Sequence, residues 1–75
     1  MRMRNIKVGM LVTPSRSLRS RTKYWCKELD YTGKILSFAN SFCVDVEWFP
    51  TKNENGDVFN GAIDIMYPLD IEPRK

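Results

Sequence analysis

Positive charges recur every two or three residues in one short stretch of this chain, and hydroxyl groups lie between them. The stretch is Ser15-Arg16-Ser17-Leu18-Arg19-Ser20-Arg21-Thr22-Lys23. Arginine forks suit phosphate oxygens, and serine or threonine hydroxyls add neutral donors to the same backbone. Aromatic rings, which follow at once, can stack on exposed bases. The predicted nucleic-acid contacts in this stretch and directly after it are Arg16, Arg19, Arg21, Lys23, Tyr24 and Trp25.

The charge of the whole chain is divided unevenly between its two parts. Residues 1–27 carry eight of the 12 basic side chains and no acidic one, which gives +8. Residues 28–75 carry the other four basic groups and all nine carboxylates, which gives −5 and a net charge of +3. Such asymmetry indicates an anionic partner. Two other interpretations of the basic stretch remain open, namely a solvated flap whose Tyr24 and Trp25 plug the end of the fold, and a contact with an acidic protein surface.

A basic N-terminal arm, residues 1–5, adds Arg2 and Arg4 to the candidate nucleic-acid contacts. The first predicted strand separates this arm from the basic stretch. Eight extended residues span about 25 Å. We therefore expect the arm and the stretch to lie at opposite ends of that strand.

The residue types of this chain do not indicate catalysis, metal binding or cofactor binding. The chain has no histidine, no glycine-rich phosphate loop and no nucleophile motif, so we expect no enzyme activity, metal, cofactor or small-molecule substrate. Cys26 and Cys43 belong to no CxxC pattern and are expected as free thiols. No segment approaches the roughly 20 apolar residues of a membrane span, and no export signal is evident, which favours a cytoplasmic protein without a membrane partner.

Five short strands are predicted, because apolar and polar side chains alternate in five segments. The clearest places Phe42, Val44, Val46 and Trp48 on an inner face and acidic residues on the outer one. The same phasing puts Ile63, Ile65 and Tyr67 inside and Asp64 outside. The five predicted strands are 6–12, 34–39, 42–48, 63–67 and 69–71.

The connections between these strands differ greatly in length. Ala39-Asn40-Ser41 predicts a hairpin turn, and residues 52–57 contain Asn55-Gly56, which favours a reversing loop. Residues 14–32 form a loop that is long for so small a domain, with at most one helical turn near residues 24–29. Loops of this length are usually functional or disordered.

Three segments together resemble a known family, the SH3-like small β-barrels of the KOW/Tudor type. They are Lys7-Val8-Gly9-Met10-Leu11-Val12, Gly33-Lys34-Ile35-Leu36-Ser37-Phe38 and Cys43-Val44-Asp45-Val46-Glu47-Trp48. The resemblance implies an all-β fold, a single five-stranded SH3-like antiparallel barrel over residues 1–75. The long basic loop would join strands 1 and 2, and residues 73–75 would form a C-terminal tail. Such barrels occur in ribosomal proteins, elongation factors, chromatin readers and DNA-binding accessory domains.

Aromatic residues outside the basic stretch offer two further hypotheses. Trp48, Phe49 and Tyr67 could form a cage for a methylated cation, as in Tudor-type readers, although their phasing favours core packing for Trp48 and Tyr67. Phe49 is phased outward beside Pro50, which makes it a candidate contact for a protein partner.

The pattern as a whole predicts a small non-enzymatic binding protein. Its expected partner is nucleic acid, RNA or DNA, contacted through phosphates as an accessory to transcription, translation or DNA handling. The alternative is a protein-interaction adaptor or inhibitor that docks on an acidic surface of a larger complex, such as a polymerase or ribosome.

Overall fold

Seven strands, one short helix and two 3-10 turns make up the fold of residues 1–74, which are the residues that the computed structural model describes. The 3-10 turns are Met3–Asn5 and Pro68–Asp70. The other elements are β1 (Leu11–Pro14), α1 (Arg16–Arg21), β2 (Gly33–Phe38), β3 (Val44–Trp48), β4 (Thr51–Lys52), β5 (Val58–Phe59), β6 (Ala62–Met66) and β7 (Ile71–Pro73).

The main sheet is antiparallel and has five strands in the order β6-β3-β2-β1-β7. β1 lies between β2 and β7, so that Val12 faces both Gly33 and Pro73. β4 and β5 form a separate hairpin, whose turn contains Gly56 at a φ of +90°. The predictions of an all-β antiparallel class, of a β2–β3 hairpin and of a reversing loop at residues 52–57 are therefore confirmed.

The core lies on one face of the sheet and is closed by residues from the β1–β2 connection. Val44, Val46 and Trp48 are almost fully buried, as their alternation predicts. A bulge between Ile35 and Ser37 in β2 interrupts the ladder with β3, and bulges bend and twist a sheet. The core cluster comprises Ile6, Val12, Leu18, Trp25, Leu29, Tyr31, Ile35, Val44, Val46, Trp48, Met66 and Ile71.

The predicted phase of β6 is wrong. Directly opposite residues in an antiparallel pair point to the same face of the sheet. Since the inward residues Val44 and Val46 of β3 face Met66 and Asp64, those residues of β6 turn inward. The alternating residues Ile63, Ile65 and Tyr67 turn outward and are 67%, 65% and 61% exposed.

The first strand is shorter than the predicted 6–12. The chain turns at Met3–Asn5 and again at Gly9, whose φ of +91° favours glycine, so the extended run starts only at Leu11. Ile6 and Val12 are buried as predicted, but Val8 is exposed.

Two more apolar residues predicted in strands lie outside them. Phe42 belongs to the turn before β3, where the Asn40 side chain accepts the N–H groups of Phe42 and Cys43, and it is 75% exposed. Leu69 lies in the 3-10 turn before β7 and is exposed to the same degree, whereas Ile71 is buried as predicted.

The connection between β1 and β2, residues 15–32, is folded onto the sheet. It contains α1, whose first turn is capped by the Ser15 hydroxyl accepting the N–H of Leu18 at 3.0 Å. The sequence predicts at most one helical turn in this connection, near residues 24–29, but the helix lies earlier, at Arg16–Arg21. Trp25, Leu29 and Tyr31 enter the core. Trp25 therefore plugs the fold as the flap interpretation expects, but Tyr24 is 62% exposed, and the connection is not a solvated flap at Leu29 and Tyr31.

Two residues of the predicted C-terminal tail, Pro73 and Arg74, make contacts within the fold. Pro73 ends β7, and the Arg74 guanidinium binds the Asp30 carboxylate. Lys75 lies outside the described residues.

Gly33 should be the glycine least tolerant of a side chain. A Cβ there would lie 2.6 Å from Trp48 Cε3 and 2.7 Å from Val46 Cγ1, inside the core. We expect Gly33→Ala to lower the free energy of unfolding by about 1–3 kcal/mol, the usual cost of overpacking. Urea denaturation measures this, with Lys34→Ala at the exposed neighbouring position as control. Equal stability of the two variants would contradict the packing described.

Candidate functional site

Arg19 is used inside the fold. Its Nη2 donates to the carbonyl oxygens of Cys26, Lys27 and Leu29 at 3.2, 3.1 and 2.9 Å. Its guanidinium carbon also lies 5.8 Å from the centre of the Tyr31 ring, within cation–π range. Arg19 therefore joins α1 to the turn that follows it, and these contacts occupy one end of the fork predicted to bind phosphate.

Trp25, predicted to stack on bases, is buried and cannot do so in this structure. It is 5% exposed and packs against Trp48 and Tyr31 at ring-centre distances of 5.0 and 4.8 Å. Tyr24 contacts it edge-on at 5.0 Å but is itself 62% exposed, and so keeps an accessible ring. Of the two predicted stacking residues, only Tyr24 remains available.

The N-terminal arm lies beside α1, and the expectation that they occupy opposite ends of β1 is wrong. The turn at Met3–Asn5 reverses the arm, and the Met1 nitrogen donates to the Pro68 carbonyl at 3.0 Å. Residues of the arm, of α1, of the turn before β3 and of the segment after β6 then line one groove of about 830 Å³. We call it the arm–helix groove. Its lining includes Arg2, Ser17, Arg21, Phe42, Tyr67 and Leu69.

The groove combines cations with exposed apolar rings. Arg2 comes from the arm and Arg21 from α1, while Phe42 and Tyr67 both expose most of their surface. Phe42 was not predicted as a surface residue. The Asn40-Ser41 turn residues just before it were the signal that β3 starts later.

One carboxylate also lines the groove. Asp70 Oδ1 lies 2.6 Å from Arg21 Nη2, and Arg21 Nε donates to the Ser17 carbonyl at 3.3 Å. The Arg21 side chain stays 58% exposed and that of Asp70 20% exposed. Within residues 1–74, Arg21 Nη1 has no hydrogen-bond partner, so the guanidinium retains an edge that faces away from these contacts.

Among residues 1–74, the remaining predicted cations make no ion pair. The two ion pairs of the described residues are Arg21–Asp70 and Arg74–Asp30. The carboxylate of Glu72 accepts the backbone N–H of Arg16 at 3.2 Å, leaving the Arg16 guanidinium outside that contact. The cations that form neither ion pair include Arg2, Arg4, Arg16 and Lys23, all of which are exposed.

The hypothetical aromatic cage is not assembled. Trp48 is buried in the core, Tyr67 turns outward, and Phe49 is half-buried with its N–H bonded to the Thr32 carbonyl at 2.9 Å. Phe49 was predicted to be an exposed protein contact, and it is less accessible than Phe42.

One cluster of possible metal ligands went unpredicted because its members are distant in sequence. In the described part of the chain, the side-chain ligand atoms of Cys26, Glu28 and Asp57 lie within 4.8 Å of one another. The Cys26 thiol donates to Glu28 at 3.2 Å, and Asn53 donates to Asp57 at 2.8 Å. These internal hydrogen bonds account for the cluster. Cys26 and Cys43 are both free thiols.

Comparison with known proteins identifies no relative. No family model matches the chain, and neither does any curated protein or solved structure. No helix among residues 1–74 is long and apolar enough to cross a membrane. The case for a function therefore depends on the groove and on the surface around it.

Arg19 should contribute to stability through its three carbonyl contacts. We expect Arg19→Lys to lower the free energy of unfolding by about 2 kcal/mol, since a single ammonium group does not reproduce the fork and charged hydrogen bonds contribute about 1.5–3 kcal/mol. Thermal or urea unfolding measures the change. Arg16→Lys, on the exposed face of the same helix, is the matched control and should leave stability unchanged; a similar loss in both would contradict this role.

The Asp30–Arg74 pair should give stability a specific pH dependence. The hydrogen bond from Arg74 lowers the pKa of Asp30 below its usual 3.8, against a smaller opposing effect of burial. A carboxyl with a lowered pKa in the folded state stabilises the protein above 3.8 and loses that contribution as the pH falls.

Asp30→Asn should therefore be slightly less stable than wild type from pH 7 to 5, by less than about 1 kcal/mol for so exposed a pair. The difference should shrink as the pH falls below 3.8. Urea titrations at several pH values measure it. Glu54→Gln, an exposed substitution of the same kind outside both ion pairs, is the control. A constant difference for Asp30→Asn down to pH 2 would argue against the pair.

Proposed function

We propose that this protein is a small non-enzymatic binding protein that holds single-stranded RNA or DNA in the arm–helix groove. The observation that carries the proposal is the juxtaposition of Arg2 and Arg21 with the exposed rings of Phe42 and Tyr67. Proteins that bind single strands combine cations along the backbone with aromatic side chains on which bases stack.

The residues of the groove divide these tasks. Arg2 and the free edge of Arg21 bind phosphate oxygens, and the Ser17 hydroxyl adds a neutral donor. Phe42 and Tyr67 provide the surfaces for bases, in place of the buried Trp25. Arg4, Arg16, Lys23 and Tyr24 do not line the groove and serve as secondary contacts for a longer strand.

Asp70 sets a limit on the strength of this binding. Its carboxylate already neutralises part of Arg21, and it repels a phosphate that approaches the same guanidinium. Binding therefore depends on contacts at several positions, and we expect affinity to fall steeply with salt and to depend little on sequence.

The fold of the sheet supports an SH3-like barrel of the KOW/Tudor type as part of the same proposal. The last strand returns to pair with the first, a 3-10 turn leads into it from β6, and a bulge bends β2. Fold likeness carries no function by itself. Since such barrels serve ribosomal, transcription and DNA-binding proteins, we extend the proposal to an accessory of nucleic-acid handling in the cytoplasm.

A second candidate has an observation in its favour. Large apolar side chains such as Phe42, Ile63 and Leu69 are exposed, and exposed apolar patches commonly mark protein contacts. This favours an adaptor or inhibitor that uses its basic groups on an acidic surface of a polymerase, a ribosome or a similar complex.

Fluorescence titration of a labelled single-stranded 12-mer at several salt concentrations tests the leading proposal, with DNA and RNA in parallel. Phe42→Ala should weaken binding about tenfold with an unchanged salt slope, because a stacked base contributes about 1–3 kcal/mol. Arg2→Ala should make the log–log slope shallower by about one, because one fewer counterion is released.

Lys52→Ala is the matched control, since it removes one exposed charge on the separate β4–β5 hairpin. It should leave both affinity and slope unchanged. No binding at low salt would overturn the proposal. Equal effects of Lys52→Ala and Arg2→Ala would show diffuse attraction to the whole surface instead of a groove.

A further inference from the structure

A second cavity lies in the β1–β2 connection, between the end of α1 and the turn that follows it. Its volume is about 430 Å³, and the described residues that line it all fall between positions 19 and 27. We call this cavity the helix–turn pocket. Its charged lining consists of Arg19, Arg21, Lys23 and Lys27, with no carboxylate among the described residues. Such an arrangement of like charges is repulsive unless an anion lies between them.

Arg19 holds the two walls of the pocket together and keeps its charge. Its Nη2 donates to the carbonyls of Cys26 and Lys27, which fixes the turn against the end of α1. A carbonyl group has no net charge, so these contacts do not neutralise the guanidinium. Within residues 1–74, Nε and Nη1 of Arg19 make no hydrogen bond, so the other side of the fork remains able to donate to a ligand.

Two lysines add charges that the fold does not use. Lys23 and Lys27 are exposed, and in the described part of the chain their ammonium groups form no ion pair. Arg21 differs, because Asp70 Oδ1 lies 2.6 Å from its Nη2 and offsets its charge. Three of the four positive charges around the pocket are therefore uncompensated.

Uncharged donors lie beside these cations. The Thr22 hydroxyl oxygen accepts the N–H of Tyr24 at 2.9 Å, which leaves the hydroxyl hydrogen available. Among the hydrogen bonds within residues 1–74, none uses the backbone N–H of Lys23 or of Lys27. Hydroxyls and backbone N–H groups complement cations at phosphate oxygens. The pocket thus brings together the kinds of donor that bind oxyanions.

The charges of the pocket lie close enough to act together. A cavity of this volume is roughly 9 Å across, about one Debye length at physiological ionic strength, so salt screens the lining charges only in part. The nearest carboxylate along the chain is that of Glu28, which does not line the pocket and accepts the Cys26 thiol at 3.2 Å. An anion in the pocket relieves the repulsion that remains.

We propose that the helix–turn pocket binds a phosphomonoester group. Such a group carries a charge of about −1.5 to −2 at pH 7 and three strong acceptor oxygens. Each phosphodiester of a nucleic-acid backbone carries one negative charge. The arm–helix groove, where Asp70 offsets one of two arginines, matches the diester. The pocket, with three uncompensated cations, matches the more highly charged monoester.

Arg21 connects the pocket to the arm–helix groove, because it lines both cavities. A single strand held in the groove can therefore place a terminal phosphate in the pocket, and this source of the group rests on the proposed function. A free phosphomonoester, such as a nucleotide, offers the same group without a strand. The binding chemistry is the same for both sources, and the experiments below separate them.

Titrations followed by amide NMR of the isotope-labelled chain test the pocket alone. The probes are methyl phosphate, a monoester, and dimethyl phosphate, a diester, over roughly 0.1–20 mM, a range chosen for millimolar affinity. We expect amide shifts within residues 19–27 to saturate with methyl phosphate. Dimethyl phosphate should bind about tenfold more weakly, because it lacks the second charge. Equal affinity for the two probes, or shifts spread evenly over the chain, would overturn the proposal.

A double variant tests the lysines of the pocket. Lys23→Ala combined with Lys27→Ala should weaken the binding of methyl phosphate about tenfold, since each change removes one exposed charge contact. The matched control is Lys34→Ala combined with Lys52→Ala, which removes two exposed lysines outside the pocket and should leave the affinity unchanged. An equal loss in both double variants would show general attraction to a positive surface and overturn the proposal.

Labelled single strands that end in a 5′-phosphate, a 3′-phosphate or hydroxyls distinguish the two sources. A strand end supplies the group if one terminal phosphate tightens binding about tenfold and Lys27→Ala, unlike Lys34→Ala, removes that gain. A free phosphomonoester supplies it if methyl phosphate binds and neither terminal phosphate changes the affinity of the strand. Failure of every strand to bind would overturn the proposed function, and the methyl phosphate titration would still decide on the pocket.

Discussion

The contact between Trp25 and Trp48 is the interaction on which the rest of the structure depends. Trp48 lies at the end of β3 and fits over Gly33 because no side chain stands between them. Trp25 packs onto it from the β1–β2 connection, with Tyr31 beside it. This packing fixes a long, strongly charged segment against the sheet. Without it, the cost in conformational entropy of ordering residues 15–32 would have few apolar contacts to offset it.

The sequence allowed the buried face of the inner strand β3 to be predicted, but not that of the edge strand β6. Alternation identified the inward residues of β3 correctly, since that strand is buried on one face and paired on both sides. In β6 the isoleucines alternate just as regularly, yet the register with β3 turns Asp64 inward and the isoleucines outward. Alternation of apolar and polar residues shows that successive side chains face opposite sides of the sheet, but pairing with the neighbouring strand decides which side is buried.

The same limit applies to the basic residues. Charge and spacing drew attention to a segment of which Ser17 and Arg21 line the groove, but charge alone does not distinguish a cation that binds a ligand from one that binds the chain itself. Arg19 donates to three carbonyls of its own connection. Arg2 joins Arg21 only because the arm reverses at Met3–Asn5, a fold-back that depends on contacts with the last part of the chain.

The position of β1 has a consequence for how the protein reaches this fold during synthesis. β1 pairs with residues 33–34 on one side and with residues 71–73, about 60 positions later, on the other. Contacts between such distant residues are slow to form, because a long loop must close first. As the chain leaves the ribosome, β1 stays paired on one side only until residue 73 has emerged. The arm–helix groove, which needs residues 67–70, is therefore among the last parts of the molecule to assemble.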